Sequence, residues 1–262
     1  MQVDVTADTA NSKDKDAEFF KKFDIVVATN CPKDELVRIN SICRAEKVLF
    51  YAGDVFGFFG FSFMDLISHE YVEEVTQEVE QESDGADGEP TAKKQKTIEK
   101  ETKSVKKAMT FVSLAETLKV DWSTELYAKR IRRMDPSFFL LQVLFNFQSE
   151  TGHTPRPKER ETDLAKLKEM RDKTLEKLSV PITKISDEML SKSLVFRPNL
   201  DFNFLFSPPG LLFAELSPVC AIVGGVLAQE VIKAISNKDA PHNNYFFYNP
   251  LESCGVVETI GY

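Results

Sequence analysis

Few side chains in this sequence stand where they could do chemistry. The glycines of "AGDVFGFFG", Gly53, Gly57 and Gly60, follow an apolar run that reads as a strand. A pyrophosphate cradle needs G-x-G-x-x-G opening a helix, so that backbone N–H groups converge on the anion. Neither that spacing nor a helix start is present, and tight turns beside a sheet edge are the expectation. Asp24, Asp34 and Asp54 lie near strand ends, where α/β proteins place ligands. Carboxylates there can hold magnesium or cap helices, and Asp34 suits a cap. His69, His153 and His242 lack the neighbours that a nucleophilic or metal site would need, so structural or surface roles are expected. Cys31 ends a buried apolar run. An activated thiol needs a positive charge or a helix N-terminus beside it, so a small buried hydrophobe is the expected role.

A more informative stretch is "LSPVCAIVGGVLAQEVIKAI", residues 216–235. Ser217 suits an N-cap and Pro218 the first helical turn. Two adjacent glycines inside a helix cost about 1 kcal/mol each relative to alanine. Ala221, Gly224, Gly225 and Ala228 recur at intervals of three and four, forming a stripe along which a second backbone can lie close. Val219, Ile222, Val223, Val226 and Leu227 flank it. The helix is either pressed onto its own sheet through that stripe or sits at a subunit seam, with those four residues as candidate interface positions. Periodicity alone leaves both readings open.

The elements that would position these residues alternate. "FDIVVAT" is a continuous apolar run of the kind a doubly buried strand shows. "PKDELVRINSICRAEK" carries Leu36, Ile39 (or Val37), Ile42 and Cys43 at helical spacing, and "VLFYAGDVFGFFGFSFMDL" reads as another buried strand, a glycine-punctuated turn region and a strand-like return. Strand, helix and strand at this length predict a βαβ unit and a parallel sheet. "VDVTA" at the start is a short β-type run.

Residues 1–76 thus form a partial Rossmann-like α/β region. Residues 77–107 run from acidic to lysine-rich, and this is expected to be a disordered linker whose halves attract each other. "KKQK" within it fits either a nuclear-import signal or a solvated charge run. Residues 108–193 read as helical, with "SFFLLQVLFNFQ", apolar nearly all round, as a central helix after Asp135-Pro136. "DLAKLKEMRDKTLEKL" follows as an amphipathic surface helix. Residues 194–213 form an atypical Phe/Pro-rich insertion, expected to be poorly ordered. Residues 214–262 complete the domain with the glycine-bearing helix and the strands "NNYFFYN" and "CGVVETI".

Composition sets outer limits. In 262 residues, 42% hydrophobic content is enough for a sizeable core. A net charge of −8 gives no domain-wide basic surface for nucleic acid. Cys31, Cys43, Cys220 and Cys254 are far apart with no C-x-x-C pair, so no zinc site or disulfide framework is indicated. The N-terminus has no signal-peptide core, and no uncharged apolar run approaches the ~18 residues of a membrane span.

Four segments together carry a resemblance: "FFKKFDIVVATNCPKDELVRINSIC", "FYAGDVFGFFGFSF", "FLLQVLFNF" and "SPVCAIVGGVLAQEVIKAISNKDAPHNNYFFYN". In order and spacing they are similar to the non-catalytic half of the ubiquitin-activating-enzyme family, most closely its SUMO-activating branch. The resemblance implies a Rossmann-like, ThiF-type adenylation fold paired pseudo-symmetrically with a related large catalytic subunit. That partner would bind Mg-ATP, adenylate SUMO and carry the acceptor thiol, in a nuclear heterodimer. It also implies that the glycine-bearing helix lies near the subunit seam, and that this chain holds no catalytic, cofactor or metal residue of its own.

Two departures bear on that expectation. Catalytic halves of the family end the strand matching "FDIVVATN" in an Asp-Asn pair; here Cys31 and Pro32 fall there, and a thiol and an imide cannot replace a metal-binding carboxylate. Met1 aligns with an internal methionine of the family, so the chain is expected to lack the N-terminal third, leaving a sheet edge uncovered. The competing expectations are a truncated scaffold that binds the large subunit without supporting activation, and a stand-alone sulfur-carrier-type adenylating enzyme. The latter would need an Asp at position 31 and zinc-binding cysteine pairs.

Overall fold

The protein is described from a computed structural model covering residues 4–81, 97–192, 216–249 and 254–262. After a short helix α1 (Ala17–Phe20), strand β1 (Ile25–Thr29), helix α2 (Lys33–Ala45) and strand β2 (Leu49–Phe56) form the expected βαβ unit. β1 and β2 are parallel, with Ile25 opposite Leu49. The chain then reverses through Gly57, whose φ of 61° suits a residue without a Cβ, into strand β3 (Phe59–Asp65).

β3 is antiparallel to β2, with Phe56 opposite Phe59. It is followed by β4 (Ser68–Gln81), β5 (Thr97–Thr110) and the helices α3 (Leu114–Leu118), α4 (Glu125–Arg133), α5 (Ser137–Thr151), α6 (Arg160–Lys177) and α7 (Asp187–Lys192). Helix α8 (Ser217–Ser236) and strands β6 (Tyr245–Asn249) and β7 (Cys254–Glu258) complete the described chain. The main sheet has the order β1-β2-β3-β6-β7. Only β1 and β2 run parallel, so the sheet is mixed and not the parallel sheet the sequence suggests; the tight turn at Gly57 is what forces β3 back beside β2.

Period-two alternation sorts the strands between two layers. In β3, Phe59, Phe61 and Phe63 point into the larger core with Phe50, Phe145, Tyr245 and Phe247, while Met64 faces the smaller layer with Tyr51 and Ala234. α5 supplies the centre of the larger core: Phe138 through Phe145, and Phe147, are all buried. Asp135 accepts the Ser137 N–H at 2.8 Å to start that helix, and Gly152 ends it in the left-handed conformation.

A polar clasp joins α2 to the sheet. Asp65, 1% exposed, accepts from Asn40 Nδ2 at 2.9 Å, from an Arg44 guanidinium nitrogen at 2.7 Å and from the Ile67 N–H at 3.0 Å. Asn40 in turn accepts the Leu114 N–H at 2.9 Å, fixing where α3 begins.

The segment read as a disordered linker needs correction at both ends. β4 runs to Gln81 and β5 starts at Thr97, paired antiparallel from Ser68↔Thr110 to Gln81↔Thr97 as a separate two-stranded sheet. The acidic half therefore lies along the lysine-rich half, as their mutual attraction suggests, and Glu73 pairs with Lys107. Residues 82–96, with the KKQK cluster, and residues 194–213 lie outside the described residues. "VDVTA" forms no strand from Asp4 onward, and Val5 is 86% exposed. β1 is an edge of the main sheet.

Candidate functional site

The C-terminal ends of β1 and β2 meet α8 at an open cleft of about 360 Å³. Thr29, Asn30, Asp54, Cys220 and Gly224 are among its walls. α8 reaches the sheet because the sheet is pared down beneath it. A Cβ on Gly60 would stand 2.5 Å from Val223 Cγ2 and 3.3 Å from a Val219 methyl; one on Gly53 would stand 3.2 Å from Leu227 Cδ1. Only Gly57 of this trio serves a turn. Gly53 and Gly60 lie within strands and make room for the helix, a close approach of backbone to neighbour that glycine alone permits.

The four candidate interface residues are not pressed onto the sheet, although Gly224 borders the cleft. Ala221, Gly224, Gly225 and Ala228 are all exposed, and a Cβ on Gly224 or Gly225 would meet nothing within 4 Å. The sheet-packing reading of the stripe is thereby excluded: α8 rests on the sheet through Val219, Val223 and Ala234. Ile222, Ile232 and Ile235, 38%, 64% and 67% exposed, extend the outward face. Of the twenty residues only Val219, Val223, Glu230 and Ala234 are buried. By length and composition this helix is apolar enough to cross a membrane, which the count of uncharged residues alone missed. It is nonetheless anchored by polar bonds: buried Glu230 accepts from Lys233 Nζ at 2.7 Å and from the His242 N–H at 2.8 Å, and its backbone carbonyl accepts from Tyr51 Oη at 3.1 Å.

At the end of β1, Asn30 takes a positive φ of 52° and Pro32 precedes the first turn of α2. Asp34 lies within that first turn and is not its cap. The Cys31 thiol donates to the Thr29 carbonyl at 3.3 Å. Burial first, then the Glu35 and Asp54 carboxylates, push its pKa above the ordinary thiol value, so it is kept protonated and unreactive. Among the described residues the cleft has one carboxylate, Asp54, which accepts its neighbour Val55's N–H at 2.8 Å, and no lysine or arginine. Such a donor set does not fit a magnesium-bound triphosphate, whose charge calls for cations or convergent N–H groups.

The histidines divide. His69, 6% exposed, has its Nε2 unpartnered and its pKa lowered by burial. His242 stacks on Phe246 beside Glu230. His153 is not isolated, contrary to expectation: the loop after α5 folds back so that His153, Glu159 and Asp163 bring ligand atoms within 4.8 Å of one another. Arg156 already serves this group, its guanidinium 3.8 Å from Glu159 and its N–H 2.7 Å from Asp163.

The βαβ edge and mixed sheet place the chain among Rossmann-like α/β proteins, and the ThiF family profile matches residues 1–259. Proteins named SUMO-activating enzyme subunit 1 align with nearly the whole chain. The one from Danio rerio is 40% identical over 257 residues, 98% of this chain and 68% of its own length. The human protein is 38% identical over 259 residues, 99% and 69% respectively, and the Mus musculus protein 37%, 99% and 68%. The chain belongs to the SUMO-activating enzyme subunit 1 family. The matched spans run across residues 194–213, which the motifs alone set apart.

Proposed function

We propose that this chain is the non-catalytic subunit of a heterodimeric SUMO-activating enzyme. The large subunit would bind Mg-ATP, adenylate SUMO and carry the thioester, and the complex would work in the nucleus. The observation that carries this reading is identity of 37–40% to subunit 1 proteins over at least 98% of the chain. Two features agree with it. The resemblance puts Cys31 and Pro32 where catalytic halves carry their Asp-Asn pair, and burial raises the pKa of that thiol. The outward face of α8 leaves an apolar, small-residue surface uncovered, as a helix awaiting a partner would.

The subunit seam would then run along Ala221, Gly224, Gly225 and Ala228, where a partner backbone can approach within side-chain-free distance. Copurification with the large subunit, followed by an ATP-dependent SUMO thioester assay, tests the reading. Thioester on the large subunit only when this chain is present is the expected result. A silent complex would leave a scaffold role, and activity from this chain alone would overturn the proposal.

A further inference from the structure

On a different part of the molecule, the start of α2, the end of α3, α5 and the end of α6 enclose a pocket of about 250 Å³. Lys33, Lys119 and Lys177 stand around it, and among the described residues no carboxylate lines it. Lys33 Nζ donates to Asn146 Oδ1 at 3.3 Å, and Asn146 Nδ2 donates to Thr174 Oγ1 at 3.0 Å, so the Asn146 amide is fixed between them. Gln142 also lines the pocket. It is 8% exposed, and its Nε2 has no hydrogen-bond partner. That nitrogen is sealed from solvent, so the donors the pocket presents are the lysine ammonium groups. Leu118, Phe145 and Leu178 supply an apolar floor.

We propose that this pocket binds a small anion, a phosphate or carboxylate on a short apolar body. Three ammonium groups repel cations and supply donors without acceptors. The floor takes the ligand's apolar part. The volume lies below the roughly 300–1,000 Å³ of pockets for drug-sized ligands, which confines the occupant to a small molecule or the end of a longer one. None of these residues belongs to α8, so the site is independent of the subunit seam.

The test titrates the full chain with inorganic phosphate and, separately, with benzoate at constant ionic strength, by calorimetry and by thermal midpoint. Saturable one-site binding of at least one anion is expected. Stronger binding of benzoate assigns a carboxylate ligand that uses the floor, and stronger binding of phosphate assigns a phosphoryl ligand held by charge. Lys33→Met, at a half-buried position, should weaken binding about three- to fivefold, and Lys177→Met, at an exposed one, by about twofold. Absence of saturable binding by either anion, or an unchanged affinity in the Lys33→Met/Lys177→Met double variant, would overturn the proposal.

Discussion

Replacing Gly224 and Gly225 by alanine should stabilise the chain by itself and weaken its complex. Both positions lie inside α8, and the space where each Cβ would go is empty to 4 Å. The added methyls meet no steric resistance, so the helix-propensity difference of about 1 kcal/mol per site is recovered nearly whole. The double variant should gain about 2 kcal/mol. For a chain of this size that corresponds to a thermal midpoint higher by about 4–8 °C, with a matching shift of the urea midpoint at unchanged m-value. The contrast is Gly60→Ala, whose Cβ would stand 2.5 Å from Val223 Cγ2; the same chemical change there should cost about 1–3 kcal/mol through overpacking. In the heterodimer the signs separate further: methyls on Gly224 and Gly225 would push the partner off the stripe, and Gly224→Leu should do so more strongly. A destabilised Gly224→Ala/Gly225→Ala chain would refute the claim that this face is open. Normal affinity of Gly224→Leu for the large subunit would refute the seam.

Three further outcomes follow from the interior. Asp65→Ala should cost about 3–5 kcal/mol by urea melting, because it strands the Arg44 guanidinium and the buried Asn40 amide; Asp65→Asn should cost less. His69 has its pKa lowered from 6.5 by burial, so the unfolded chain binds the proton more readily than the folded one. Its contribution to stability is therefore full above about pH 6.5 and is lost as pH falls through the lower folded value. His69→Phe should flatten the fall in urea midpoint on acidification, leaving the part due to His242; an unchanged slope would count against the burial argument. Finally, Cys31 should react with iodoacetamide at neutral pH more slowly than free cysteine, read by peptide mass spectrometry, since its thiol is raised by burial. Faster alkylation would mean that the end of β1 is a reactive site after all.

Local pattern revealed those parts of the molecule whose partners lie nearby or whose burial is complete. The β1–α2–β2 unit, the nearly all-round apolar α5 and the final pair of strands β6 and β7 follow from runs and periods that need no knowledge of distant chain. The β4–β5 hairpin was hidden because each half alone is a charge run with little to bury; it becomes a strand only when the opposite charges of the other half lie alongside. α4 escaped notice because Ile131 is its one buried residue. The roles of Gly53 and Gly60 were out of reach for a related reason: what presses on them is α8, which arrives far later in the chain. The stripe on α8 was visible from its spacing, but which side of the helix it occupied was not, since a helix flanked by valines on both sides gives no direction inward.

That arrangement has a consequence for how the protein can change. The distance between α8 and the sheet is governed by Gly53 and Gly60, while whatever meets the outer surface is governed by Gly224 and Gly225. Because a Cβ on Gly225 would touch none of the atoms that press on Gly53 and Gly60, substitutions at Gly225 should combine with those in the sheet nearly as sums, whereas Gly224, which shares the cleft with Gly53, can couple to it. Affinity for a partner can then drift, tighten or switch along the outside of α8 without the core having to be repacked to follow it.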